Sequence, residues 1–211
     1  ILANSQWSGL EDSTIVGHWQ RQFSVAKAVA AARREGFPDP AEEEWFARLS
    51  RLLFPVDQAM ERMIDEYLRL DDLIAVRARM IGSGTIGGKA LGMLLARAVL
   101  RRDAPQVDAR LEAHDSFYIG AEVYDTFLVH NGLWWIRRRQ REAETYLQEV
   151  DAARARILAG RFSPTVMHQF EGMLDYFGEW PFIVRSISRL EDRYGNALAG
   201  QYDSVFCANR G

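Results

Sequence analysis

The first 80 residues carry apolar side chains three and four positions apart, which is the spacing of amphipathic helices. These apolar stripes occupy Trp19–Ala30, Trp45–Leu53 and Met60–Leu68. Gly36 and Pro38 follow the first stripe, and such residues are typical of positions just beyond a helix. Aromatic and methionine side chains at this spacing indicate core packing rather than a cofactor site. The pattern therefore predicts a helical layer over residues 1–80.

Residues 81–211 mix short apolar runs with longer periodic segments, which predicts an α/β or α+β fold. The predicted strands are Asp115–Ile119, Pro181–Ser186 and Tyr202–Phe206, and the predicted helices are Ala121–His130, Arg137–Leu158 and Ser163–Gly178. The strand Pro181–Ser186 opens with four apolar residues, so we expect it to be buried. The helix Arg137–Leu158 is rich in charge, so we expect it to face solvent.

Basic, hydroxyl and acidic side chains cluster at the end of the strand Pro181–Ser186 and just after it. The polar residues are Arg185, Ser186, Ser188, Arg189, Glu191 and Asp192, and a turn with small residues follows at Gly195, Ala199 and Gly200. An arginine supplies a planar fork of donors, and the backbone N–H groups of a glycine-bearing turn can supply others. This combination suits a phosphate group. The alternative is an ordinary strand end with a surface ion pair.

The segment Ile81–Gly92 is the most glycine-dense in the chain, and it leads into a helix whose first turn carries Lys89. A helix start with a lysine favours an anion. A Walker A loop is excluded, because Ser83 stands at the first glycine position and Ala90 follows the lysine. The pattern Gly82-x-Gly84-x-x-Gly87 matches a dinucleotide fingerprint, which requires a strand before it and an acid such as Asp103 or Asp108 after it. A flexible linker is a third possibility.

The composition narrows the function classes. The 48% hydrophobic and 26% charged fractions are typical of a globular protein, and a net charge of −3 argues against a general nucleic-acid binder. No apolar run is long enough for a membrane span, and the single Cys207 fits a reducing cytoplasm. Only two of the 26 basic residues are lysines, and the four histidines lack a metal-ligand spacing. Because the chain starts at Ile1 and stops after a patterned run, we expect a fragment of a longer protein.

Two motifs in this order resemble one protein family. The first is Gly87-Gly88-Lys89-Ala90-Leu91-Gly92, and the second runs from Val184-Arg185-Ser186 through Leu190-Glu191-Asp192 to Gly195-Asn196-Ala197 and Ala199-Gly200. Together with the predicted strand and helix between them, they resemble the nucleotide-binding region of phosphoenolpyruvate synthase and pyruvate phosphate dikinase. The resemblance covers residues 81–211 and leaves residues 1–80 as a helical N-terminal extension.

The resemblance implies the first half of an ATP-grasp module, with a mixed sheet and surrounding helices. It implies that Lys89 and Arg185 contact the ATP phosphates. The other implied nucleotide-site residues are Gly87, Gly88, Ser186, Ser188, Glu191, Gly195, Ala199 and Gly200. In such enzymes phosphoryl passes from ATP through a phosphohistidine to pyruvate or another acceptor. The second ATP-grasp half, the phosphohistidine domain and the magnesium ligands are expected outside this chain, which is therefore expected to be inactive alone.

Two other functions are compatible with the sequence. A non-catalytic module that senses nucleotide or holds a partner would need the same binding residues without the transfer. A dinucleotide-dependent oxidoreductase would use the loop Gly82–Gly87 and would leave the Arg185 segment without a role. It also predicts a strand directly before Gly82.

Overall fold

The computed structural model describes residues 17–37, 39–54, 58–112, 115–140, 142, 144–145, 148–186 and 203–209. In chain order its elements are α1 (His18–Arg34), α2 (Glu42–Leu53), α3 (Gln58–Tyr67), α4 (Leu70–Ala78), β1 (Met80–Ile81), α5 (Gly88–Asp103), α6 (Pro105–Asp108), β2 (Tyr118–Ile119), α7 (Ala121–His130), α8 (Trp134–Arg139), α9 (Val150–Leu158), α10 (Pro164–Phe177), β3 (Phe182–Arg185) and β4 (Ser204–Cys207). Helices with small sheets give the α/β class that the sequence predicts.

The three apolar stripes of the first 80 residues form α1, α2 and α3, so these predictions are confirmed. Helix α1 packs against α2 and α4, and α3 packs against α5. Each buries one face: Phe23 on α1, Leu49 on α2 and Ile64 on α3 are at most 2% exposed. A helical layer results because an amphipathic helix stabilises itself mainly by packing its apolar face.

One hydrophobic core contains residues from both sides of position 80 in the chain. It contains Leu73 of α4, Met80 of β1, Leu91 and Leu95 of α5, and Tyr118 of β2. A smaller cluster joins β1 to α7 and α10. The helical layer therefore shares its core with the segment that carries Lys89. The division of the chain at residues 80 and 81 stays a prediction.

The four strands form two separate pairs. β1 and β2 are parallel, with Met80 opposite Tyr118, and α5 and α6 lie between them in the chain. β3 and β4 are antiparallel, with Arg185 opposite Ser204. Both types of pairing expected for a mixed sheet thus occur, in two small sheets of the described residues.

The predicted long charged helix Arg137–Leu158 is wrong. The chain forms α8, turns, and begins α9 after Glu149, which has a left-handed backbone at φ 57°. The Gln140 side chain donates to the carbonyl of Gln148 at 2.8 Å across this turn. The error has a physical reason. A segment that is charged around its whole circumference has no apolar face to hold it as a continuous helix.

The strand β3 lies where the sequence predicts it, but the expectation that it is buried is wrong. Ile183 and Val184 are 45% and 41% exposed. Phe182 does stack on Phe177 of α10, with ring centroids 5.4 Å apart. Among the described residues β3 pairs with β4 alone, and this pair has no second layer over its outer face. A short apolar run distinguishes a strand from a helix by length, but it does not reveal what covers the strand.

Candidate nucleotide-binding site

The glycine-rich loop after β1 is packed against the start of α7. Three backbone N–H groups donate to carbonyls of this segment: Gly120 to Ile81 at 3.0 Å, Ala121 to Thr85 at 2.9 Å and Glu122 to Ser83 at 3.2 Å. Gly82 and Gly84 have positive φ values of 69° and 94°, which glycine adopts without strain. The loop is therefore an integral part of the fold, which argues against a flexible linker.

Gln169 of α10 also holds this loop. The Gly82 N–H donates to its side-chain oxygen at 2.7 Å, and Gln169 is a buried polar residue at 6% exposure. Sequence analysis did not single it out. The available signal was a polar residue on the apolar face of α10, between Val166 and Phe170. A buried amide of this kind is kept because it satisfies a backbone group that is also removed from water.

The start of α5 combines the features of an anion site. Gly87 is the N-cap, in an extended conformation and without a capping side chain. The buried Ile86 donates its N–H to the Leu53 carbonyl at 2.9 Å, so the helix start is fixed to the end of α2. Gly88 and Lys89 form the first turn, where backbone N–H groups give the helix a partial positive charge. The half-buried Lys89 adds a full charge at the same end.

Lys89 lies against the end of β3, although the two are far apart in the sequence. Its Nζ donates to the backbone carbonyl of Ser186 at 3.2 Å, across 97 residues. Ser186 directly follows Arg185, the last residue of β3, which is exposed and stands opposite Ser204 in the register with β4. The Lys89 amine therefore contacts the chain at the end of β3, directly after Arg185 and next to the start of α5.

The rest of the predicted phosphate loop lies outside the described residues. Ser188, Glu191, Gly195, Ala199 and Gly200 all fall within residues 187–202. Their predicted contacts with nucleotide stay predictions.

The structure provides only part of the geometry that a dinucleotide site requires. The strand β1 does precede Gly82, but it is two residues long. Asp103 lies at the far end of α5, where it accepts hydrogen bonds from Tyr67 and Arg102, and Asp108 pairs with Arg97 at 3.6 Å. Because α5 has 16 residues at about 1.5 Å each, Asp103 at its end is about 24 Å from the loop. The loop glycines are instead accounted for by the close packing on α7.

The described part of the chain contains no clustered metal ligands and no helix suited to cross a membrane. No group of three or more His, Cys, Asp or Glu side chains there is close enough to hold a metal ion. None of the described helices combines the length and apolar character needed to cross a membrane.

A pocket of about 320 Å³ is lined by α1, α4, α7 and α10 and by Gly82 and Ser83 of the glycine-rich loop. Arg77 of α4 is part of its wall and is only 9% exposed. Sequence analysis missed Arg77 as well. Its signal was a cation on a helix face that also carries Leu73 and Val76, both buried.

A family model described as pyruvate phosphate dikinase, AMP/ATP-binding domain, matches residues 83–211, which is more than half of the chain. The match begins inside the glycine-rich loop and includes both Lys89 and Arg185. No curated protein and no solved structure has significant similarity to the chain.

Proposed function

Because the chain belongs to the family of the pyruvate phosphate dikinase AMP/ATP-binding domain, we propose that it binds ATP between the start of α5 and the end of β3. Lys89 and Arg185 are the phosphate ligands in this proposal. Gly87 and Gly88 let the phosphates approach the backbone, and Ser186 lies beside them. Ser188, Glu191, Gly195, Ala199 and Gly200 complete the site as the loop that closes over the phosphates.

The contact between Lys89 and Ser186 is the observation that carries the proposal. A lysine ammonium has three N–H donors, so one can stay on the Ser186 carbonyl at 3.2 Å while others bind phosphate oxygens. The first turn of α5 adds backbone N–H groups to the same place. Two cations and a helix start can neutralise much of the charge on a triphosphate. This arrangement also explains why Lys89, one of only two lysines in the chain, stands in the first turn of α5.

The chemistry we propose for the complete enzyme is phosphoryl transfer from ATP through a phosphohistidine to pyruvate or another acceptor. In such reactions the protein chiefly positions the phosphates and offsets their charge, and Lys89 and Arg185 would do both. The second ATP-grasp half and the phosphohistidine domain would act together with this chain in the cytoplasm. Magnesium would accompany the ATP, and we expect its ligands outside this chain.

The test is ATP binding by calorimetry to the wild type and to Lys89→Ala, Arg185→Ala and the double variant. Arg185→Ala is expected to weaken binding by about 2 kcal/mol, or roughly 30-fold, since a charged hydrogen-bond donor is lost. The double variant is expected to bind more weakly still. Lys27→Ala, which removes the other lysine from an exposed position on α1, and Arg110→Ala at another exposed position are the matched controls.

Unchanged ATP affinity in the double variant would falsify the site assignment. Phosphoryl transfer is a separate question, tested by following ³²P into the full-length protein from ATP labelled at the β position and, in parallel, at the γ position. Nucleotide binding without any protein phosphorylation would indicate a module that senses nucleotide instead.

A further inference from the structure

The pocket beside the glycine-rich loop has a buried cation in its wall. Arg77 is 9% exposed, and its Nη1 atom is buried without a hydrogen-bond partner in the part of the chain that the structure describes. Burial lowers the pKa of the guanidinium, which nevertheless stays protonated at neutral pH. The guanidinium carbon of Arg77 lies 6.0 Å from the centre of the Phe23 ring, a weak cation–π contact. An unpaired buried charge destabilises the folded protein, so a bound anion would stabilise Arg77.

A second donor atom, on another residue that lines the pocket, also lacks a hydrogen-bond partner. The indole Nε1 of Trp19 is buried and lacks a hydrogen-bond partner among the described residues, and Trp19 lines the pocket together with Arg77. An indole N–H can only donate, and a guanidinium can only donate. Two unsatisfied donors beside one pocket suit acceptor atoms, and one of the donors carries a positive charge. Both donor atoms are closed to solvent, so an oxyanion in the pocket would reach them only after the Arg77 and Trp19 side chains turn toward it.

The third contribution comes from the start of α10. Ser163 is its N-cap and Thr165 lies in its first turn, and both line the pocket. This helix has 14 residues, so its N-terminus adds a partial positive charge to the pocket wall. Glu122 also lines the pocket, where its carboxylate accepts a hydrogen bond from the Ser83 hydroxyl, and its negative charge opposes part of this positive potential.

We propose that this pocket binds a small molecule bearing an oxyanion, either a carboxylate or a phosphate, with Arg77 as the principal ligand and the Trp19 indole as a second donor. The volume of about 320 Å³ is at the lower end of small-molecule sites and leaves room for more than an inorganic ion. Lys89 and Arg185 do not line it. The site is therefore separate from the proposed ATP site, although both border the same loop.

The test uses inorganic phosphate and acetate as probes and measures their binding to the full chain by calorimetry and thermal shift. Arg77→Met keeps the length of the side chain and removes its charge, and Trp19→Phe keeps an aromatic ring and removes its N–H. Arg77→Met is expected to weaken binding of the preferred probe by roughly tenfold or more, and Trp19→Phe by roughly threefold to tenfold. The stronger of the two probes identifies the acid group that the pocket prefers.

Thermal stability distinguishes a ligand from a packing residue. Without the probe, Arg77→Met is expected to melt at the wild-type temperature or above it, because an unpaired buried charge is replaced by an apolar chain of similar length. The double variant of Lys89 and Arg185 is expected to keep wild-type phosphate binding in this pocket, so a failed ATP site does not affect the result. Failure of both probes to bind the wild type, or equal binding by the wild type and both pocket variants, overturns the proposal.

Discussion

The helical layer, with α5 packed on it, and the β3–β4 pair both border the candidate site. The first is well packed, whereas the second is largely exposed. In the helical layer Leu49, Leu53 and Leu73 are completely buried in a core that extends into α5. In the strand pair Ile183 is 45% exposed and Phe206 is 82% exposed. Lys89 comes from α5, which shares the core of the helical layer, and Arg185 comes from the strand pair. Half of the site therefore stands on a rigid support, and the other half depends on a strand pair with few buried contacts.

The difference suggests how the site works. Lys89 is held by its helix, whose start is fixed to the end of α2 through Ile86. The end of β3 is held through the Ser186 carbonyl and through the stacking of Phe182 on Phe177. A site that must admit a nucleotide and enclose it benefits from one fixed wall and one movable wall.

Truncation of a core leucine has the largest expected effect. Leu73→Ala, in the middle of the shared core, is expected to lower the free energy of unfolding by about 2–5 kcal/mol, because it leaves a cavity. The matched change Ile183→Ala on β3 is expected to cost about 0.5 kcal/mol or less, because its side chain is already partly in water. Urea denaturation measures both. Equal losses for the two variants would show that the strand pair is as firmly packed as the helical layer.

A methyl group at the junction of the glycine-rich loop and α7 has the next largest effect. A Cβ on Gly120 would lie 2.0 Å from the Ser83 carbonyl oxygen, so Gly120→Ala must displace backbone and is expected to cost about 1–3 kcal/mol. Gly92→Ala on the exposed side of α5 meets no atom within 4 Å and is expected to stabilise the helix by about 0.5–1 kcal/mol. Thermal unfolding checks both. A Gly120→Ala protein as stable as the wild type would contradict the close packing of this loop.

The smallest effect concerns pH. Burial raises the pKa of Tyr118 to about 12, whereas a tyrosine in an unfolded chain titrates near 10. Between pH 10 and pH 12 the unfolded chain therefore loses a proton that the folded protein keeps. The free energy of unfolding falls in this window as pH rises, by about 1–2 kcal/mol. This stability is fully present below pH 10.

Tyr118→Phe isolates that contribution, because the variant has no phenolic proton. The difference in free energy of unfolding between the wild type and Tyr118→Phe is expected to change across pH 10–12 and to stay constant between pH 7 and pH 9. A constant difference over the whole range would mean that Tyr118 is as accessible to water as in the unfolded chain.

Much of the helical structure was predictable because its signals are local. Trp19, Phe23 and Ala26 have the period of α1, and Ser163 followed by Pro164 marks the start of α10, where the Ser163 hydroxyl accepts the Val166 N–H at 3.4 Å. Burial was less predictable. The burial of β3 and the continuity of the charged helix after Arg137 both depend on which other segments pack against them. A local sequence pattern does not contain that information.

The sequence by itself determined the helices α1, α2, α3, α7 and α10, the α/β class and the two motifs that identify the family, because each rests on the order and spacing of nearby residues. Only the tertiary structure decided that the Lys89 amine meets the Ser186 carbonyl. It also decided that Arg77 and Trp19 line one pocket while the Arg77 Nη1 and the Trp19 Nε1 atoms are buried without partners among the described residues. These contacts join segments dozens of residues apart. Their geometry depends on how the whole core packs, and no periodicity along the chain encodes it.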